Sequence, residues 1–318
     1  MKTLRDHLAE YVTVRRAFGT QLREPAVTLG HFIDYLESQG ARFITTKLAV
    51  DWARKPDQAQ RATWARRLSM VRRFASWLSV REVRNEVPPR GLIEARHRRN
   101  SPYIYTEAEI QRLMAQALDL PSPNGVRART LATLIGLMAS TGLRPGEALA
   151  LELNDVDLHA QVLLIRQTKF GKSRLVPIHD STRDALAQYA KQRDQIHPHR
   201  QTARFFVSER GTGLGSCTVR RTFAKISRAI GLRQRQEDRR GRRVGRGPRL
   251  QDLRHTFATR RLVEWYRAGG DAGRQMPKLA TYLGHVSVGN TYWYIEAIPE
   301  LLGLASESRL HFTQGGAQ

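Results

Sequence analysis

The chain has 318 residues, 41% of them apolar, with 45 Arg and 8 Lys against 29 Asp plus Glu and a formal charge of +24. That length and apolar content allow two domains with cores of their own and exclude wholesale disorder, while the single cysteine, Cys217, excludes an internal disulfide and a cysteine-based zinc site. The most apolar run, Leu131 to Ala139, is too short to cross a bilayer, and the first residues bring in Asp6 and Glu10 early with no apolar segment of the kind a leader needs, so the expected location is the cytoplasm. The arginine excess favours planar, bidentate binding of phosphate, which makes nucleic acid the first partner to consider.

Apolar positions Leu4, Leu8, Tyr11 and Phe18 keep helical spacing, and a second helix carrying Leu29, Phe32, Ile33 and Leu36 is expected from a cap at Thr28 to a stop at Gly40. Thr46 opens a short third helix. After Pro56 and a cap at Asp57, a fourth places Trp64, Leu68, Val71, Ala75 and Leu78 on one stripe and Arg66, Arg67, Arg72 and Arg73 on its other faces. Residues 81–102 lose periodicity, gather Pro88, Pro89 and Gly91 and end in the basic run Arg96 to Arg99, which reads as an interdomain linker with the boundary near Asn100.

The second half opens on a capping box at Thr106 and Glu109 before Ile110, Leu113, Met114 and Leu118. A buried helix spans Arg129 to Ser140. Val162 to Arg166 and Arg174 to Ile178 read as a hairpin whose tip, Thr168 to Lys172, is basic, and Arg204 to Val207 is a further candidate strand. Beyond Ser216 the pattern is helical apart from a loop at Arg233 to Arg249, where eight Arg face Glu237 and Asp238. The class expected is mainly α with a small antiparallel sheet.

Residues 1–100 carry 20 basic and 10 acidic side chains, so both halves are basic. Two basic domains on a basic linker have the layout of a clamp around duplex DNA, and a plain two-domain binding protein would share it. Three separated segments choose between these. The first, Thr141 to Glu147, holds Arg144 at a helix N-terminus between a Gly turn and Pro145. The second is Leu250 to Thr259, with Gln251, Arg254 and His255. The third is Leu283-Gly284-His285, followed nine residues after the histidine by Tyr294 within Thr291-Tyr292-Trp293-Tyr294.

In this order and spacing, with a basic hairpin between the first two, the segments resemble the signature boxes of the tyrosine recombinase, or phage integrase, family over residues 103–296. The resemblance implies a helical core-binding domain over residues 1–100 and a mostly helical catalytic domain over 101–318. It also implies cleavage of one DNA strand to a 3′-phosphotyrosine and a free 5′-hydroxyl that attacks the partner strand, with no metal or other cofactor. Arg144 and Arg254 match the arginines that hold the scissile phosphate, Tyr294 the nucleophile, and Lys169 the hairpin lysine that protonates the departing 5′-oxygen. Lys172 competes with Lys169. His285 matches the histidine that hydrogen-bonds the phosphate or tends the tyrosine's proton, and Glu147 the acidic support residue. Tyr292 and Tyr294 face different sides of a helix, about 200° apart, and the interval from His285 selects Tyr294.

DNA contacts are expected from Arg66, Arg67, Arg72, Arg73, Arg98, Arg99 and Lys172, with a homotetramer assembled on two DNA sites, acting alone or with partner recombinases and accessory DNA-bending proteins. Residues 298–318 are a candidate for the segment that passes between subunits. One position departs from the family. Gln251 stands where it has His or Lys, and an amide donates a hydrogen bond but has no useful proton to transfer. The alternative is therefore a DNA-binding accessory protein of the same fold with weakened chemistry; a type IB topoisomerase shares the tyrosine chemistry, but the helical N-terminal half and the wording of the motifs fit recombinases.

Overall fold

A computed structural model of the chain describes residues 2–20, 22–95, 101–166, 173–199, 201–233, 247–268, 272–297 and 301. The chain divides into two compact units, residues 1–100 and 101–318.

The first unit is helical: α1 (Leu4–Ala17), α2 (Arg23–Ser38), α3 (Thr46–Arg54) and α4 (Arg61–Leu78). Their apolar stripes meet in one core built on Phe32, Ile33, Leu36, Trp52, Leu68, Val71 and Phe74. Two expected helix starts are corrected. α2 begins at Arg23, not after Thr28, because Pro25 sits in the first turn, where its missing N–H has no intrahelical bond to lose. α4 is capped at Gln60, not Asp57, since residues 56–59 close a turn through the Ala59 amide and the Pro56 carbonyl (2.8 Å). α3 starts one residue after its cap Thr45, whose hydroxyl accepts the Leu48 amide.

Residues 81–90 are not a free linker. The Ile44 amide donates to buried Asn85 (2.9 Å), the Glu86 amide to the Ile44 carbonyl (2.8 Å), and Arg72 to the carbonyls of Pro88 and Pro89 (2.7 and 2.8 Å). These bonds fasten the segment to the helices before it. Of the remaining linker candidates, Arg96 to Asn100 lie outside the described residues.

In the second unit, α5 (Glu107–Leu118) starts at the Thr106–Glu109 capping box, and α6 (Val126–Thr141) is apolar nearly all round because it runs through the core, packed on four other helices. α6 ends at Gly142, whose φ of +64° suits glycine and where a Cβ would meet the Phe257 ring at 2.5 Å. Next come α7 (Pro145–Ala150), a 3₁₀ turn (Leu153–Asp155) and strands β1 (Val156–Asp157), β2 (Val162–Ile165) and β3 (Arg174–Pro177). They form an antiparallel sheet in the order β1-β2-β3, with Val162 opposite Pro177 and Ile165 opposite Arg174.

The chain continues through α8 (Asp180–Ile196), α9 (Ser216–Ala229), α10 (Asp252–Arg267), α11 (Ala272–Leu283) and α12 (Gly289–Ala297). Arg204 to Val207 contributes single bridges, Glu152 to Arg204 and Val207 to Gly213, and no full strand. The unit is thus mainly helical with a small antiparallel sheet, as the sequence predicts. A second apolar cluster, with Phe257, Leu262, Met276, Leu279, Leu283 and Tyr294, ties α10, α11 and α12 together. No helix among the described residues is long and apolar enough to cross a membrane.

Candidate active site

The turn after α6 delivers Arg144 in extended conformation as the N-cap of α7, with Pro145 at the first helical position. Its backbone amide donates to Glu147 Oε2 (3.1 Å) and its guanidinium to Oε1 (2.6 Å), leaving about a third of the side chain exposed. Glu147 is itself nearly buried and also receives Arg174 (2.8 Å). Burial alone would push its carboxyl up; the bond and charge of Arg174, followed by those of Arg144, outweigh that and hold it below the usual carboxylate range.

Arg254 stands just inside α10 and is 1% exposed. Its guanidinium donates to the carbonyl of Gly142 (2.8 Å) and to that of Leu283 (2.6 Å), so it bridges the end of α6 to the end of α11. Burial first, and the like charge of Arg144 second, bring it down to about 10, still a cation at neutral pH. Arg144 reaches the next carbonyl, Gly284 (3.1 Å). A buried guanidinium keeps its five N–H donors in a fixed fork, so bonds to carbonyls on two sides fix where the remaining donors point.

His285 follows directly, and its Nδ1 pairs with the buried Thr291 hydroxyl (2.7 Å). Burial, then the charges of Arg254 and Arg144, depress it to about 3, so the ring is neutral at pH 7 and keeps both a donor and an acceptor nitrogen. Its ring stacks on Tyr294 at 6.1 Å between centroids, and the His255 ring lies at 5.5 Å from the same tyrosine. Tyr294 is 2% exposed, whereas Tyr292 is 45% exposed. Burial raises the Tyr294 phenol, and the charge and hydrogen bond of Arg254 oppose that rise. The free protein therefore keeps the phenol protonated beside a cation able to stabilise its anion.

Arg144, Glu147, Arg254, His285 and Tyr294 thus come together from α7, α10 and α12 and from the turns that follow α6 and α11. Gln251 caps α10 one turn before Arg254, its side chain without a hydrogen bond among the described residues. Lys169, Lys172, Arg98 and Arg99 lie outside the described residues. On α4, Arg66 pairs with Glu24 and Arg73 bonds the Ser69 carbonyl (3.2 Å), both on the exposed side. Arg67 lies over the Trp52 ring (3.7 Å) and bonds its carbonyl, and Arg72 holds the Pro88 and Pro89 carbonyls, so these two guanidiniums are engaged inside the unit. His255 is half-buried against Tyr294 and Trp293; burial holds it at about 4.

Three supporting residues were not picked out from the sequence. Asp252, buried at the start of α10, accepts the Arg249 amide (2.8 Å) and guanidinium (2.7 Å) and so fixes the turn ahead of Arg254; an acidic residue in a first helical turn was the available signal. Thr291 and Arg174 gave none, because their partners are 6 and 27 residues away in sequence. Among the described residues no group of three or more His, Cys, Asp and Glu side chains could hold a metal ion.

The sequence profile of the phage integrase family matches residues 104–300. The chain is 45% identical over 307 residues to y4rB of Sinorhizobium fredii, which bears a provisional integrase/recombinase name, with 95% of each chain covered. The Tn1549 transposon integrase, solved in complex with transposon right-end DNA, shares the fold at a TM-score of 0.66 and 15% identity, over 98% of this chain and 100% of that one. A lambda integrase tetramer bound to a Holliday junction shares it at 0.58 and 20% identity, over 90% and 78%. Matched over most of its second unit by the family profile and over nearly its whole length by y4rB, the chain belongs to the phage integrase family, the tyrosine-type site-specific recombinases and integrases that act on DNA.

Proposed function

We propose that the chain breaks and rejoins DNA strands through a 3′-phosphotyrosine at Tyr294. The observation that carries this reading is the enclosure of the Tyr294 phenol by Arg254 and His285, with Arg144 on the partly open side of the same group. The phenol oxygen attacks the scissile phosphorus, and the guanidiniums of Arg144 and Arg254 take the non-bridging oxygens, where the pentacoordinate transition state gathers negative charge. Neutral His285 hydrogen-bonds the phosphate or receives the phenolic proton. Lys169 gives a proton to the departing 5′-oxygen, a poor leaving group without it. One phosphodiester replaces another, so the reverse attack by a 5′-hydroxyl reseals the strand and no nucleotide cofactor is consumed.

Residues 1–100 serve in this reading as the core-binding domain, with the exposed Arg66 and Arg73 of α4 meeting phosphate and Arg98, Arg99 and Lys172 adding contacts. A homotetramer on two DNA sites is supported by the lambda integrase assembly, and service to a mobile element or phage by the transposon relative. Nucleoid DNA in the cytoplasm is then the working location. A second reading, a DNA-binding accessory protein with weakened chemistry, is favoured by Gln251 alone.

The test starts from nicked duplexes with randomised arms, in which a released short fragment prevents resealing. Wild-type protein should become covalently attached, and sequencing the captured strands yields the target site. Tyr294→Phe should form no adduct while Tyr292→Phe still does; an adduct mapped to Tyr292 overturns the assignment.

A further inference from the structure

Three guanidiniums from three separate elements converge on the end of α11. Arg174, at the start of β3, donates from Nε to the Tyr282 carbonyl (2.8 Å), Arg254 of α10 to the Leu283 carbonyl (2.6 Å), and Arg144 to the Gly284 carbonyl (3.1 Å). The last carbonyls of a helix lack intrahelical partners and carry partial negative charge. Here three consecutive ones are each met by a cation, immediately before His285.

Two of those cations already have roles at the scissile phosphate; Arg174 has none. Its other donors go to Glu147, at 3.3 Å to Oε1 and 2.8 Å to Oε2, and that carboxylate also holds Arg144 at 2.6 Å. The Arg174 side chain is 11% exposed. Gly284 leaves room for it: a Cβ there would lie 2.6 Å from an Arg174 guanidinium nitrogen, on a backbone with φ of +66°. Arg174 is thus bonded at once to the carboxylate that aims Arg144 and to the turn that carries His285.

We propose that Arg174 is a positioning residue for strand cleavage, holding Glu147 and the α11 terminus so that Arg144 meets the non-bridging oxygens of the scissile phosphate. The inference rests on the cleavage chemistry proposed above. A buried Arg–Glu pair that merely stabilises the fold has the same contacts, and the two differ in what they do to the reaction. If Arg174 acts through Arg144, its loss matters in proportion to the charge that Arg144 must neutralise. A duplex with a methylphosphonate at the scissile position has a neutral centre, with a methyl group in place of one anionic oxygen, and needs less of that neutralisation.

Full-length wild type, Arg174→Gln and Arg174→Lys would be compared on the duplex selected by covalent capture, by equilibrium binding and by single-turnover cleavage. Thermal melts check the fold, and the Lys variant, which keeps a cation against the buried Glu147, serves if the Gln variant does not fold. Binding should stay within about threefold of wild type, while cleavage of ordinary DNA falls about thirtyfold or more for Gln and about tenfold for Lys, because one ammonium cannot span the carboxylate and the Tyr282 carbonyl. On the methylphosphonate duplex, the deficit of both variants should shrink by about tenfold. Wild-type cleavage by Arg174→Lys, a deficit of unchanged size on methylphosphonate, or loss of binding in step with loss of cleavage would each overturn the proposal. If the wild type itself forms no adduct with any duplex, the proposed function fails instead.

Discussion

Gln251 and the two histidines nearest Tyr294 set how the site uses protons. Gln251 precedes Arg254 by one helical turn and carries a donor but no transferable proton. If that corner mainly supplies a hydrogen bond to the phosphate, Gln251→His should change single-turnover cleavage only modestly, and Gln251→Ala should cost about 1–3 kcal/mol of transition-state stabilisation. A gain of about 10²–10⁴-fold on Gln251→His would instead mean restored acid–base catalysis and would move the chain toward the accessory reading. The retained tyrosine and both arginines favour the first outcome, since an eroding site would lose them as readily as one histidine. His255 and His285 make a separate prediction for the DNA-free protein. Burial depresses both, to about 4 and about 3, below the roughly 6.5 of an unfolded histidine. Between those values the unfolded chain binds more protons than the fold, so the stabilisation is fully present above pH 6.5 and is lost as pH falls toward 4 and then 3. From pH 6.5 to 5, where carboxylates remain largely ionised, each histidine should remove about 1 kcal/mol per pH unit, the slope growing as the unfolded histidine fills with protons. Denaturant titrations should show this slope in wild type and a clearly flatter one in a His255→Phe, His285→Asn double variant; equal slopes would refute it.

At the scale of elements, the helices were legible wherever a stripe faced one core. The Leu68, Val71, Ala75 and Leu78 stripe of α4 and the Thr106–Glu109 box of α5 are local patterns, and both form within helices as the sequence predicts. The starts of α2 and α4 were less legible, because Pro25 can belong to a first turn and Asp57 to a reverse turn as easily as to a cap. Within the candidate site, Arg144, Arg254, His285 and Tyr294 were readable because their order and spacing form a pattern, while Arg174 and Thr291 act through contacts between elements that no local pattern encodes. The β2–β3 hairpin is the element whose chemistry can be tested most sharply. Its register sets Ile165 against Arg174, and the eight residues between them include both lysine candidates. Lys169→Ala should cleave ordinary DNA very slowly, by about 10²–10⁴-fold, and recover when the 5′-bridging oxygen is replaced by sulfur, since a thiolate departs without a proton. Rescue of Lys172→Ala by sulfur, with no rescue of Lys169→Ala, would exchange the two assignments.

For the whole molecule the governing quantity is charge, because +24 spread over two units means that each can displace counterions from DNA. The share of each unit is measurable without knowing the target. Non-specific affinity should fall with salt on a log–log slope of about −0.9 per phosphate neutralised. Residues 1–100 bring 20 basic against 10 acidic side chains, but the geometry discounts two of the four α4 arginines that the sequence offers as DNA contacts: Arg67 is spent on Trp52, and Arg72 on the carbonyls of Pro88 and Pro89. Exposed Arg66 and Arg73 are the ones available to phosphate. Arg66→Gln and Arg73→Gln in the full chain should therefore each reduce the slope by about one contact, with little change in thermal stability. Arg67→Gln and Arg72→Gln should lower the melting temperature and leave the slope nearly unchanged, since they remove bonds to the fold. Deleting residues 1–100 should flatten the slope by several contacts and weaken site-specific binding. An unchanged slope after the deletion would mean that the first unit does not grip the duplex, and a slope that drops for Arg72 but not for Arg73 would mean that α4 presents its other face to DNA.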